Sequence, residues 1–180
     1  MSLSPFFYVE KWNASKECYE KVSVYRKAGQ FANEKEKACG FEEVDFWPWN
    51  GTHDIFSLLG TTSRENCYDR VAGVHRGVPP MVSKEVKAEI ERIFEEDDPH
   101  NPPDANVRWI TLADLYVAVA KNPKVVDYNA DWEDGEEKPL IDNPLNIVIK
   151  RIESYIDYAD DFYDVEENRS LIRLVYWVIW

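Results

Sequence analysis

The chain has 180 residues, of which 44% are hydrophobic and 31% charged, and its 34 acidic against 21 basic side chains give a formal charge of −13. This length suits a single domain over residues 1–180 with a substantial core, and the apolar content argues against intrinsic disorder. The negative charge argues against direct binding of nucleic acid, because a protein that follows phosphates needs a basic face.

The N-terminal quarter predicts a β-hairpin, a short helix and a third strand. Residues 6–12 are aromatic and branched, which is typical of a strand, and residues 13–15 form a turn into an alternating strand over 18–26. A polar segment with alanine spacing predicts a helix over 30–40 that ends at its glycine, and residues 41–47 predict the third strand.

Helical spacing of apolar residues recurs in four later segments, at 52–60, 83–94, 111–122 and 143–159. Each begins with a residue type that caps helix N-termini: Thr52, Ser83, Thr111 with Asp114, and Asn143 followed by Pro144.

The last segment, residues 170–180, is apolar on both faces, and its branched and aromatic content favours a strand. Such a strand is usually central in a sheet that is covered on both sides. The alternative is an exposed face that is buried in a homodimer formed through this C-terminal strand. We predict an α+β domain: an antiparallel sheet built from the N-terminal hairpin and the C-terminal strand, packed by about four helices.

Cysteine usage and the chain ends indicate a cytoplasmic protein. Cys18, Cys39 and Cys67 are an odd set without a paired spacing, which favours free thiols. The N-terminus lacks the layout of a signal peptide, and residues 1–3 could be an addition to the native start. The apolar run at 171–180 is about half of the roughly 20 residues that a membrane helix needs, so we expect no membrane span.

An aromatic cluster with a histidine lies in the first half of the chain. Trp47, Trp49, His53 and Asp54 could line a ligand pocket, with His53 as an acid, base or ligand. The plainer interpretation is a turn, a helix start and two rings that cover the core. We favour it, because a lone histidine without an identified partner is not a catalytic site.

Neither metal-site pattern that we tested matches, and we expect no metal and no cofactor. The spacing of Cys39, His53, Cys67 and His75 fits no zinc finger. Aligning Gly135 with the glycine of an EF-hand puts non-ligand residues at the other positions. A weaker cation site among Asp131, Glu133 and Asp134 is left open.

The acidic residues are concentrated in the second half of the chain. Residues 1–90 hold 13 acidic and 12 basic side chains, whereas residues 91–167 hold 21 and 7. The plainer interpretation is a solvated surface that keeps an aromatic-rich protein soluble. The sharper one is a rigid carboxylate surface that imitates nucleic-acid phosphates and binds a basic protein, with aromatic anchors. Its candidate residues are Asp131, Trp132, Glu133, Asp134, Asp160 and Asp161.

Five segments occur in an order that resembles a family of small uncharacterised bacteriophage and prophage proteins: FYVEKW, HDIFSLLG, RGVPPMVSKEV, RWITLADL and RLVYW. The matching residues are Ile55, Phe56, Leu59, Gly77, Val78, Pro79, Ser83, Glu85, Trp109, Thr111, Leu112, Leu115, Arg173, Leu174, Val175 and Trp177. Val107 and Arg108 replace a His-Ser pair of the family, and residues 178–180 replace a polar tail. The resemblance implies a phage origin and no particular activity.

These observations favour a non-enzymatic phage accessory protein that acts in the host cytoplasm by binding a basic host or phage protein. The alternative is a small enzyme or ligand-binding domain with a pocket near Trp49 and His53.

Overall fold

The computed structural model describes residues 4–47, 55, 58–59, 73–97, 106–127, 130–131, 133 and 135–179. In this part of the chain nine strands and four helices follow one another. They are β1 (Ser4–Asn13), β2 (Cys18–Lys21), β3 (Val24–Lys27), α1 (Glu34–Cys39), β4 (Phe41–Val44), β5 (His75–Arg76), α2 (Lys84–Asp97), β6 (Arg108–Thr111), α3 (Leu112–Lys121), β7 (Lys124–Val126), β8 (Leu140–Asp142), α4 (Leu145–Ala159) and β9 (Ile172–Ile179).

The main sheet has five strands in the order β2-β1-β9-β6-β5, and all of its neighbours are antiparallel. The N-terminal hairpin β1–β2 pairs with the C-terminal strand β9 in a register that places Phe7 opposite Tyr176. The predicted α+β fold, with a sheet from both chain ends, is therefore confirmed.

The sheet is covered on both faces, which explains why β9 is apolar on both sides. On one face, Leu174 and Tyr176 of β9 pack in a core with α3, α4 and residues 55, 58 and 59. On the other face, Val175 and Trp177 pack against α2. Alternating side chains of a strand point to opposite faces, so this strand supplies two cores at once.

β9 is the central strand that its composition predicts. It pairs with β1 along its whole length and with β6 over residues 173–176, and residues 172–178 are buried within one chain. The homodimer alternative needs an exposed face on this strand, and the described residues of β9 offer no such face.

The prediction of one strand over residues 18–26 is wrong in one respect. The segment forms two strands, β2 and β3, which belong to different sheets. β2 pairs with β1, and Val22 still donates its N–H to the carbonyl of Val9 at 2.8 Å. β3 then pairs with β4 in a separate two-stranded sheet. Alternation indicates which side chains face inward, and Val22 and Val24 are both buried, but it does not identify the pairing partner.

The helix starts at Thr111 and Asn143 agree with the predicted caps, whereas the predicted cap Thr52 lies outside the described residues and the cap at Asn33 was not predicted. Asn33 forms a complete capping box with Glu36, and α1 ends at Gly40 in the left-handed region with a φ of 82°. Thr111 caps α3 by accepting the N–H of Asp114 at 3.0 Å. Asn143 accepts the N–H of Leu145 at 3.0 Å at the start of α4.

The short strands β5, β6, β7 and β8 were not predicted. β6 runs without a loop into α3, since Thr111 is both its last residue and the helix cap. β7 and β8 form a two-stranded ribbon between α3 and α4. Among the described residues, no helix combines the length and apolarity needed to cross a membrane.

Candidate functional site

Trp47 is the one residue of the predicted aromatic and histidine cluster that the structure describes. It follows β4, and its ring meets the ring of Phe7 edge-on, with centroids 6.2 Å apart. The indole is 45% exposed, so this aromatic side chain is held by the core and presented to solvent. Trp49, His53 and Asp54 lie outside the described residues, and the pocket predicted around them is not tested.

Trp47 lines a cleft of about 430 Å³ between the β3–β4 ribbon and α4. Its apolar lining comes from Val24, Val44, Phe46, Trp47, Tyr155 and Tyr158. The side chains of α4 reach the cleft because positions three, four and seven residues apart lie on one helix face. The volume falls within the range of small-molecule sites, roughly 300–1,000 Å³.

Charged groups of both signs surround this cleft, namely Arg26, Asp45 and Arg151, together with the neutral hydroxyl of Ser154. Arg26 pairs through Nε with Glu42, whose carboxylate it neutralises. That contact and the bond from Gly29 hold the pKa of Glu42 below its ordinary value, with the Arg26 hydrogen bond as the largest cause. Arg151 and Asp45 are exposed and make no hydrogen bond or ion pair within the described part of the chain.

Tyr155 fixes the floor of the cleft. Its hydroxyl donates to the carbonyl of Val44 at 2.7 Å, and its ring meets Phe46 at 5.2 Å in an edge-on contact. Burial raises the pKa of Tyr155 to about 12, so the phenol stays neutral through the physiological range. The contact ties α4 to β4, and the two walls of the cleft are thereby joined.

Among the predicted acidic residues, Asp131 and Glu133 are exposed in the loop between β7 and β8, and Asp161 is exposed after α4. Trp132 and Asp134 lie outside the described residues. Asp160 differs from the others, because it pairs with Lys11 of β1. That hydrogen bond is the main reason why the pKa of Asp160 lies below its ordinary value.

Lys11 anchors the acidic segment after α4 to the sheet. Its ammonium contacts Asp160 and lies over the ring of Tyr163, 4.5 Å from the centroid. The chain between these two residues is a tight turn, in which the N–H of Tyr163 donates to the carbonyl of Asp160 at 3.1 Å. The segment is therefore fixed at both ends of this turn.

Two large aromatic side chains of the same region project into solvent. Tyr158 in the last turn of α4 is 74% exposed, and Phe162 in the anchored turn is 94% exposed. Both have exposed carboxylates next to them in sequence, Asp157 and Asp161. Aromatic residues are enriched at the core of protein interfaces, and polar groups form the rim around them.

Comparisons with protein-family models, curated proteins and solved structures give no match. The resemblance to phage proteins accordingly stays a prediction.

A buried ion pair that was not predicted joins the segments of that resemblance. Glu10 is fully buried and Arg173 is 2% exposed, with Nε of Arg173 donating to Glu10 at 2.7 Å. Glu10 also accepts the N–H of Ser83 at 2.7 Å, and Nη1 of Arg173 donates to the carbonyl of Pro80 at 2.8 Å. The guanidinium lies 3.6 Å from the ring centroid of Tyr19, and its Nη2 has no hydrogen-bond partner among the residues that the structure describes.

This pair has a structural role, since it ties β1, β9 and the turn before α2 together. Sequence signals for it existed, because a glutamate and an arginine each interrupt an apolar strand. Within the described residues no group of three His, Cys, Asp or Glu side chains is placed to hold a metal ion.

Proposed function

We propose that this chain is a phage or prophage accessory protein that binds a basic protein in the host cytoplasm. The binding surface is centred on residues 157–162, where exposed aromatic rings alternate with carboxylates. Asp131 and Glu133, also exposed, belong to the wider acidic surface of the second half of the chain.

The exposure of Phe162 carries the proposal. An isolated ring of this size that is 94% exposed gains nothing from folding, whereas its burial in a complex removes apolar area from water. Asp157 and Asp161 flank Tyr158 and Phe162 and would steer a basic partner toward the two rings.

The fixed backbone of the segment adds to the proposal. Because Lys11 holds Asp160 and Tyr163 in place, the turn that bears Phe162 is ordered before a partner arrives. A surface that is already ordered loses less conformational entropy on binding, which favours affinity.

Capture from bacterial lysate by the full chain tests this function. The double substitution Asp157→Asn/Asp161→Asn and, separately, Phe162→Ala should each reduce the captured protein about tenfold. Asp160 is left intact, because its loss would also release the turn. The captured protein should be basic, and its retention should fall as sodium chloride is raised from about 0.05 to 0.5 M.

The matched control is Glu34→Gln/Glu91→Gln, which makes the same change in net charge at exposed positions of α1 and α2. Equal losses with the control and with Asp157→Asn/Asp161→Asn would show a general charge effect and refute the proposed surface. Undiminished capture by Phe162→Ala would refute the anchoring role of that ring.

A further inference from the structure

We infer that the cleft between the β3–β4 ribbon and α4 binds a small aromatic monocarboxylate. This inference does not rest on the proposed function: Tyr158 belongs to both surfaces, but the cleft depends on Trp47 and Arg151, whereas the proposed function depends on Phe162.

The apolar part of the cleft suits a single aromatic ring. Phe46 and Val24 are buried at its base, Tyr155 stands edge-on to Phe46, and Trp47 and Tyr158 remain exposed toward solvent. A planar ligand that enters between these rings buries its own faces and part of both exposed side chains. Aromatic contacts of this kind contribute about 0.5–1.5 kcal/mol beyond the buried area.

The position of Trp47 is set before any ligand binds. Its edge-on contact with Phe7 links it to β1, and the hydrogen bond from Tyr155 to Val44 links α4 to β4. The two sides of the cleft are thus connected through ordered groups, and little reorganisation accompanies binding.

The charges select an anionic ligand. Arg151 has no ion-pair partner within the described part of the chain, and Arg26 uses only its Nε for Glu42. A guanidinium presents paired donors that match the two oxygens of a carboxylate. Among the described residues that line the cleft, these two arginines are accompanied by one carboxylate without an ion pair, Asp45.

Asp45 also restricts the charge of the anion. A carboxylate gains the paired hydrogen bonds of a guanidinium with a single charge. The second charge of a phosphate dianion gains no net attraction, because Glu42 offsets Arg26 and Asp45 offsets Arg151, and it meets the field of a chain with a net charge of −13. The arrangement therefore favours an aromatic carboxylate over an aromatic phosphate.

Titration of the ¹⁵N-labelled full chain with 3-phenylpropanoate tests the inference by NMR. The indole N–H signal of Trp47, assigned with Trp47→Phe, should shift and saturate with a Kd on the order of 1 mM. The uncharged amide of the same acid, hexanoate without a ring, and phenyl phosphate should each bind at least about fivefold more weakly.

Arg151→Gln should weaken binding of 3-phenylpropanoate about fivefold, and Tyr158→Ala should weaken it as well. The matched control is Lys150→Gln, which removes the same charge from the adjacent exposed residue of α4, outside the cleft. Both α4 positions are exposed, so folding is not at risk.

Three results would overturn the inference: no shift of the Trp47 signal, equal binding of the amide, or equal losses with Arg151→Gln and Lys150→Gln. Tighter binding of phenyl phosphate than of the carboxylate would refute the assigned ligand class. Loss of lysate capture with Phe162→Ala leaves these results unchanged, so the two proposals fail independently.

Discussion

At the scale of single residues, the buried ion pair of Glu10 and Arg173 should contribute to stability more than the other polar contacts described. Breaking it should therefore cause the largest loss of unfolding free energy. Arg173→Met leaves the carboxylate of Glu10 buried with one hydrogen bond from Ser83, and it should lower the free energy of unfolding by about 3–5 kcal/mol. Urea unfolding gives this value, provided that the slope of unfolding free energy against urea concentration is the same in the variant and the parent chain.

The pair also has an internal check. Glu10→Gln in the Arg173→Met background removes the stranded charge while an oxygen remains to accept the N–H of Ser83, so about 1 kcal/mol or more should be regained. Arg92→Gln, which breaks the exposed contact with Glu89, should cost less than about 1 kcal/mol. A cost for Arg173→Met as small as that of Arg92→Gln would contradict the buried pair.

The raised pKa values of two tyrosines should make the free energy of unfolding depend on pH in the alkaline range. Burial is the main cause that raises the pKa values of Tyr8 and Tyr155 from 10.0 to about 12. The folded state then binds more protons than the unfolded state, and the contribution of each phenol is complete below pH 10 and lost as the pH rises toward 12. Tyr8→Phe should make the fall in unfolding free energy shallower over this window. Unchanged steepness in urea unfolding at several alkaline pH values would contradict it.

At the scale of elements, Asn143 joins two helices and should matter more than an ordinary cap. Its Oδ1 accepts the N–H of Leu145, and its Nδ2 donates to the carbonyl of Asn122 at 2.8 Å, just after α3. Asn143→Ala should cost about 1–3 kcal/mol in thermal or urea unfolding, because the buried N–H of Leu145 and the carbonyl of Asn122 both lose their partner. Asn146→Ala, an exposed change in the first turn of the same helix, should be neutral within about 0.5 kcal/mol.

Local signals in the sequence identify these elements, whereas pairing partners are not local. The caps at Asn143 and Thr111 were predictable because each side chain bonds to a backbone group within three residues. The short strand β6 was not, since four residues carry too little periodicity and its stability comes from β9, more than 60 residues later.

At the candidate cleft, too, local sequence patterns were predictable and contacts between distant elements were not. Trp47 was found from the aromatic pattern around it, but Arg151 was not. It lies on the exposed side of α4, where helical periodicity marks only the buried stripe and gives no information about the element opposite. The turn around Phe162 was predicted as part of an acidic segment, although its anchoring by Lys11 could not be.

At the scale of the whole molecule, the two cores share one strand and should unfold together. Leu174 and Val175 are adjacent, fully buried and on opposite faces of β9. Leu174→Ala should cost about 2–5 kcal/mol through the cavity that it leaves. The loss of the near-ultraviolet signal of aromatic rings around Trp177, on the other face, should coincide with the loss of helical signal. Two separate transitions would contradict a shared core.

The central place of β9 also has a consequence in time. Glu10 and its partner Arg173 are separated by 163 positions, so the ribosome adds the second residue on the order of 10–30 s after the first. Until β9 has been made, the N-terminal hairpin lacks its neighbour strand. The newly made chain therefore carries a strand edge with unpaired backbone groups, which is prone to aggregation, until residue 179 has left the exit tunnel. A chaperone that shields this edge should raise the yield of folded protein.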